Sequence, residues 1–243
     1  MRYLLIVCLL LAGCEGKKQK QEGKNTEKEN VVQSFDKSGK VTKEITMENG
    51  KKNGIAKTFY SNGNVNLEIN YKDNLKNGIS RRYYESGKLY QESEFRDGQQ
   101  VGIQKKFDEE GKLLSVARFE EGEPCSGLKE YLDDGSERKS FPSIVITPVN
   151  RLLTDGVYIL VVTLSDKSKR VNFYKGRLTK GGCLGNSLVP LAGDKKKGEG
   201  EIRYFLGQGQ YVMEELNIVA EIKTRYGNSY LTQRSYNVAI DNK

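Results

Sequence analysis

The residues able to do covalent chemistry in this chain are few. It contains no histidine and no tryptophan. That removes nucleophilic triads built on an imidazole base and zinc or iron sites that need a histidine ligand. Asp, Glu and Lys remain, but they are dispersed, with no nucleophile set beside a base, so no catalytic residue, metal or cofactor is expected. The thiols are Cys8, Cys14, Cys125 and Cys183. Two periodic sets carry non-covalent chemistry instead. Lys57, Arg81, Lys105 and Lys129 stand 24 residues apart, flanked by Arg82 and Lys106, with Glu44, Glu68 and Glu92 forming an acidic column. Such a ladder suits a polyanion or a charged membrane. It equally suits a structural role, with basic stems lying over apolar surface and blunting strand edges; the acidic column favours that second reading. Tyr60, Tyr84 and Tyr90 are the other candidates for a binding surface, because tyrosine offers contact area at low entropic cost.

The compartment is read from the first fourteen residues. Arg2 precedes an apolar run, Tyr3 to Leu11, then come Ala12, Gly13 and Cys14. Nine apolar residues are too few to span a bilayer, which takes roughly 20, so the run reads as a processed signal. The string Leu11-Ala12-Gly13-Cys14 resembles the lipobox of bacterial lipoproteins. That resemblance implies a signal peptide over 1–13, cleavage before Cys14, and lipid on its thiol. The chain is then expected in the bacterial cell envelope, at the outer membrane or cell surface rather than the inner membrane. Two or more acyl chains hold a protein durably. With Cys8 removed and Cys14 blocked, Cys125 and Cys183 are left as an even pair in an oxidising compartment, either bridged or as two buried free thiols.

Residues 14–34 read as a lipidated, disordered tether, since Glu15 to Asn30 hold no large apolar side chain and cannot offset ordering entropy. From Phe35 a repeat begins. Phe35, Phe59, Tyr83, Phe107 and Tyr131 are 24 apart, and each is followed four residues later by Gly39, Gly63, Gly87, Gly111 or Gly135. Val41, Val65, Leu89 and Leu113 hold a third column, and Met47, Tyr71, Phe95 and Phe119 a fourth. Gly54, Gly78 and Gly102, then Ile55, Ile79 and Ile103, complete the register. Within a unit the period is two: Val65, Leu67, Ile69 and Tyr71 alternate with polar residues, as in a half-buried strand. Ser61-Asn62-Gly63 suits the turn between two strands. Each unit is therefore a β-hairpin, too small to stand alone, and the array is expected to share one apolar face between neighbours. Tyr60 and Tyr84 then fall on the face opposite that column.

The pattern Phe59, Gly63, Val65, Tyr71, Gly78 and its equivalents resembles the MORN-variant repeats of bacterial proteins, some of which are labelled antitoxin-like. The resemblance covers residues 35–138, with drift in the end copies, where Met47 and Gly127 break their columns; Asn74 replaces a glycine within. It implies a repeat fold and an interaction role, with inhibition of a toxin as the alternative.

Beyond about Phe141 the period is lost. Ile144–Thr147, Val157–Val162, Val171–Tyr174, Ile202–Phe205, Ile218–Ile222 and Tyr230–Ile240 read as short strands. They predict a β-sandwich over 141–243, immunoglobulin- or transthyretin-like. The net charge of +8 is spread out, with no basic block longer than Lys195-Lys196-Lys197, so nucleic acid is not an expected partner. The whole reads as an all-β, membrane-anchored, non-catalytic repeat protein with an unidentified protein partner.

Overall fold

The computed structural model describes residues 30–243. Cys14, the signal segment and the first part of the expected tether lie outside those residues. Eight strands follow one another as a meander: β1 (Asn30–Phe35), β2 (Val41–Glu48), β3 (Lys51–Phe59), β4 (Val65–Lys72), β5 (Leu75–Tyr83), β6 (Leu89–Arg96), β7 (Gln99–Phe107) and β8 (Leu113–Glu120). Two short strands, β9 (Glu123–Pro124) and β10 (Lys129–Glu130), both pair with β8 and close a ten-stranded antiparallel sheet. Residues 30–34 thus belong to the sheet and not to a tether. Val31 and Val32 favour an extended backbone, and the strand pairs antiparallel along β2.

Two kinds of turn alternate along the meander. At the five tips the amide N–H of the fourth residue donates to the carbonyl of the first, as from Gly63 to Tyr60 and Gly87 to Tyr84. The tip glycines have φ of +84° to +91°, a region other residues enter only at a cost. At the opposite ends, Asn49-Gly50, Asp73-Asn74, Asp97-Gly98 and Glu121-Gly122 take positive φ at both positions, as a two-residue type I′ turn requires. Asn74 is tolerated there because asparagine visits this region, and its side-chain carbonyl accepts the Lys52 amide N–H at 2.8 Å. The hairpins therefore join edge to edge.

The shared apolar face is not buried in the way alternation suggests. Val65, Leu67, Ile69 and Tyr71 are only half-buried, and so are Asn66, Glu68 and Asn70 between them. Among the described residues of 30–116, the buried side chains are polar: Thr46, Ser93, Gln104, Lys106 and Ser115. Over most of its length the sheet is a single layer, so alternation here marks two faces without making one of them an apolar core.

The core lies in the second region. There, β11 (Ile144–Arg151), helix α1 (Leu152–Asp155), β12 (Val157–Leu164), β13 (Val171–Lys175), β14 (Val189–Pro190), β15 (Gly200–Phe205), β16 (Tyr211–Lys223) and β17 (Ser229–Asp241) follow in order. They form a three-stranded sheet, β11-β12-β15, and a four-stranded one, β14-β13-β16-β17. One cluster draws on both: Leu160, Val162 and Leu164 from the first, Phe173, Leu216, Ile218 and Val238 from the second. Each such side chain contributes about 1.5–3 kcal/mol on burial. The fold is all-β, a hairpin-repeat sheet followed by a sandwich.

Candidate interaction face

The register across the repeat sheet brings the charged columns into one line. Glu44 opposes Lys57, Lys57 opposes Glu68, Glu68 opposes Arg81, Arg81 opposes Glu92, and Glu92 opposes Lys105. The cations at 24-residue spacing and the acids between them are thus one alternating row. Lys57 lies 3.5 Å from Glu68, and Arg81 bridges Glu68 at 3.7 Å and Glu92 at 2.9 Å. Val116 interrupts the row before Lys129, which instead meets Glu137 at 3.7 Å. An isolated cationic ladder along a polyanion is therefore not what the sheet presents: neighbouring carboxylates balance most of it.

Alternation along β3, β5 and β7 puts Ile55, Ile79 and Ile103 on the same face as the charged row, flanking it on one side. Ile55 and Ile103 are exposed. Phe59, Tyr83 and Phe107 flank it on the other side, at bulges between Thr58 and Phe59, Arg82 and Tyr83, and Lys106 and Phe107. Burial, with the nearby Glu68, pushes the Tyr83 hydroxyl above its usual value. The Tyr84 ring meets that of Tyr90, the extra residue of the bulge in β6, edge-on at 5.1 Å. Tyr60 lines a cleft of about 500 Å³ with Glu44 and Phe59. Row and isoleucines thus share one face, and Tyr60 stands beside two residues of it, Glu44 and Phe59.

Each tyrosine also has a structural task. The Tyr60 hydroxyl donates to the Tyr83 carbonyl at 2.7 Å, and Tyr84 repeats this on Phe107 at 2.8 Å. Similar struts recur one unit on: the Asn64 amide donates to the Glu85 carbonyl at 2.8 Å, and the Lys112 ammonium to that of Asp133. Lys52 lies over the Tyr71 ring at 5.2 Å, and Lys76 over Phe95 at 4.9 Å. The residues offered for binding are the same ones that fasten repeat to repeat, so the face is presented rigid.

The opposite face is covered at its far end. Alternation puts Gln104, Lys106, Ser115 and Ala117 there, and all four are buried. The β16–β17 turn of the sandwich meets Lys106 there. Glu130, 1% exposed, accepts hydrogen bonds from the Thr224 hydroxyl at 2.5 Å and the Asn228 amide at 3.0 Å, and faces Arg138 at 3.5 Å. Lys106 donates to the Tyr226 carbonyl at 2.6 Å; burial pulls its amine below the usual lysine value, opposed by the charge of Glu130. Cys125 and Cys183 are joined by a disulfide that ties the sheet end to the loop between β13 and β14. Alongside it, Ser126 N–H donates to the Gly182 carbonyl at 2.8 Å. Sequence reasoning leaves the state of these cysteines open and misses Glu130 and the burial of Lys106. Their only local signal is a charge at a strand position facing inward.

Two comparisons with known proteins bear on this geometry. No curated protein matches the chain. A family model described as the MORN repeat variant matches residues 52–73, 76–97 and 100–121, each match taking in one strand, its tip and the next strand. Three successive units of the sheet, β3–β4, β5–β6 and β7–β8, match the MORN repeat variant, and the chain is a repeat protein.

Proposed function

We propose that this is a non-catalytic repeat protein, held in the bacterial envelope by lipid on Cys14, that offers the open face of its hairpin sheet to a protein partner. One observation carries the reading. The sandwich covers the opposite face at its far end, while the face with Ile55, Ile79, Ile103 and the charged row stays open past the same repeats. Exposed isoleucines beside a balanced charged row and aromatic rings resemble the mixed composition of protein interfaces. A polyanion is a poorer fit, because it would compete with carboxylates already beside each cation. The anchor rests on the lipobox-like string and the short apolar run before it.

Photo-crosslinking residues placed at Ile55 and Ile103 in cells, with Ala56 as the control on the other face, test the face. Capture of one protein from Ile55 and Ile103 but not from Ala56 supports it. Equal labelling from all three overturns it. A captured toxin would identify the inhibitor role that some repeats of this kind are labelled with. Cys14→Ser tests the anchor separately: the variant is expected to leave the membrane fraction, and its retention after a high-salt wash would refute lipidation.

A further inference from the structure

We propose that the open edge strand β1 pairs with β1 of a second copy of this chain, antiparallel about a two-fold axis centred on Gln33. The far end of the sheet is closed by the sandwich and the disulfide, whereas among the described residues β1 pairs only on its β2 side. Its six residues are all exposed, and Val31, Val32 and Phe35 are 59%, 51% and 57% exposed. An edge of this kind is usually guarded by charge, proline or an inward lysine. Asn30–Phe35 has none of these, in a chain that is 30% charged. Other edges of the molecule are guarded: Pro148 lies in β11, Pro190 in β14, and Arg203 in β15.

The choice of a second copy rests on the charged row. Reading from Lys105 back to Glu44 it alternates in sign, and the next place, opposite Glu44, calls for a cation. Gln33 stands there, its amide donating to Glu44 at 2.7 Å. A two-fold axis sets this residue against its own copy. A lysine would meet a lysine; a glutamine meets an amide that can both donate and accept, and Gln33 keeps its side-chain carbonyl and a second N–H for that purpose. The same register opposes Val31 to Phe35 of the mate, twice, on one face, and Val32 to Ser34 on the other. The exposed Val31 and Phe35 are thereby covered, and no like charges face each other within the strand.

The test uses the full chain in its membrane. Gln33→Cys, under mild oxidation, is expected to give a disulfide-linked dimer well above the parent chain, in which Cys125 and Cys183 are already bridged. Glu85→Cys, at a hairpin tip far from the axis, is expected to give none. Adding Val31→Lys to Gln33→Cys should lower the yield about tenfold or more, since two lysines would enter the seam. Val31 is exposed, so this change leaves the monomer folded, which circular dichroism checks. A dimer of the Gln33→Cys variant that Val31→Lys lowers supports the pairing. Absence of a dimer in Gln33→Cys, a yield insensitive to Val31→Lys, or equal crosslinking at positions 33 and 85 would overturn it.

Discussion

Both halves of the molecule are antiparallel β-structure, yet they are held together by different means. The sandwich hides a dry cluster around Leu160, Leu164, Leu216 and Ile218. The repeat sheet hides almost nothing apolar and relies on the same polar struts used again in each unit: tyrosine to carbonyl, asparagine or lysine to the next tip, acid to base along the row. Apolar alternation is visible in both. Only where a second sheet lies against the first does it become a core. Periodicity in a sequence is thus evidence for faces, and burial needs something to cover them.

That contrast can be broken in graded ways. The largest effect is expected at the joint between the halves. Cys125→Ser with Cys183→Ser opens a loop of 58 residues and should cost about 4 kcal/mol in the chain-entropy model. Chemical denaturation should then resolve two transitions in place of one; a single unchanged transition would refute a disulfide that couples the halves. Next comes Leu160→Ala in the sandwich, at about 2–5 kcal/mol by loss of contacts and cavity formation. The paired change Leu67→Ala in the sheet, on a half-buried side chain, is expected to cost less than about 1.5 kcal/mol. Similar losses at both sites would mean that the sheet has a covered core after all.

Gly87→Val tests the tips. With φ at +86° and β-branching, the variant should lose about 1–2 kcal/mol. Hydrogen exchange should rise in β5 and β6 and in the adjoining units that share struts with them; a change confined to one hairpin would speak against coupled repeats. The smallest effect is in pH. Burial alone would raise the Glu221 carboxyl, but Lys223, Ser229 and Asn172 together hold it below its ordinary 4.5. A depressed carboxyl stabilises the fold above the unfolded value and loses that contribution as pH falls through the folded one. Melting temperatures of the sandwich should therefore drop below about pH 4.5, and Glu221→Gln should flatten the slope there. An unchanged slope would show that other carboxylates govern the acid limit.

Much of this is legible from the residues alone, and the rest is hidden for definite reasons. The tip glycines Gly39 to Gly135 and the aromatic column mark the repeats because positive φ and bulges demand particular residues locally. The strands around Leu160 and Ile218 stand out as apolar runs. The beginning of β16, from Tyr211 to Glu215, does not, because its large apolar side chains, Tyr211 and Met213, face solvent while Glu214 faces inward to Tyr204. Strict alternation does not foresee the contact of Tyr84 with Tyr90, because a bulge falls on Tyr90 and no residue type announces it. Glu130 and Lys106 look like two more members of charged columns. What meets them is a turn 94 residues beyond Glu130, at Thr224, and 120 beyond Lys106, at Tyr226, and contacts of that separation leave no periodic trace.

In the meander every strand pairs with its sequence neighbours, and this has a consequence for the length of the molecule. A unit gained or lost between β2 and β7 leaves the sandwich joint and the edge strand unaltered. With strands about 4.8 Å apart, each unit moves the two ends by roughly 10 Å. The sheet is then a ruler graduated in 24-residue steps, and duplication or deletion within the gene can reset the distance it measures without redesigning either end.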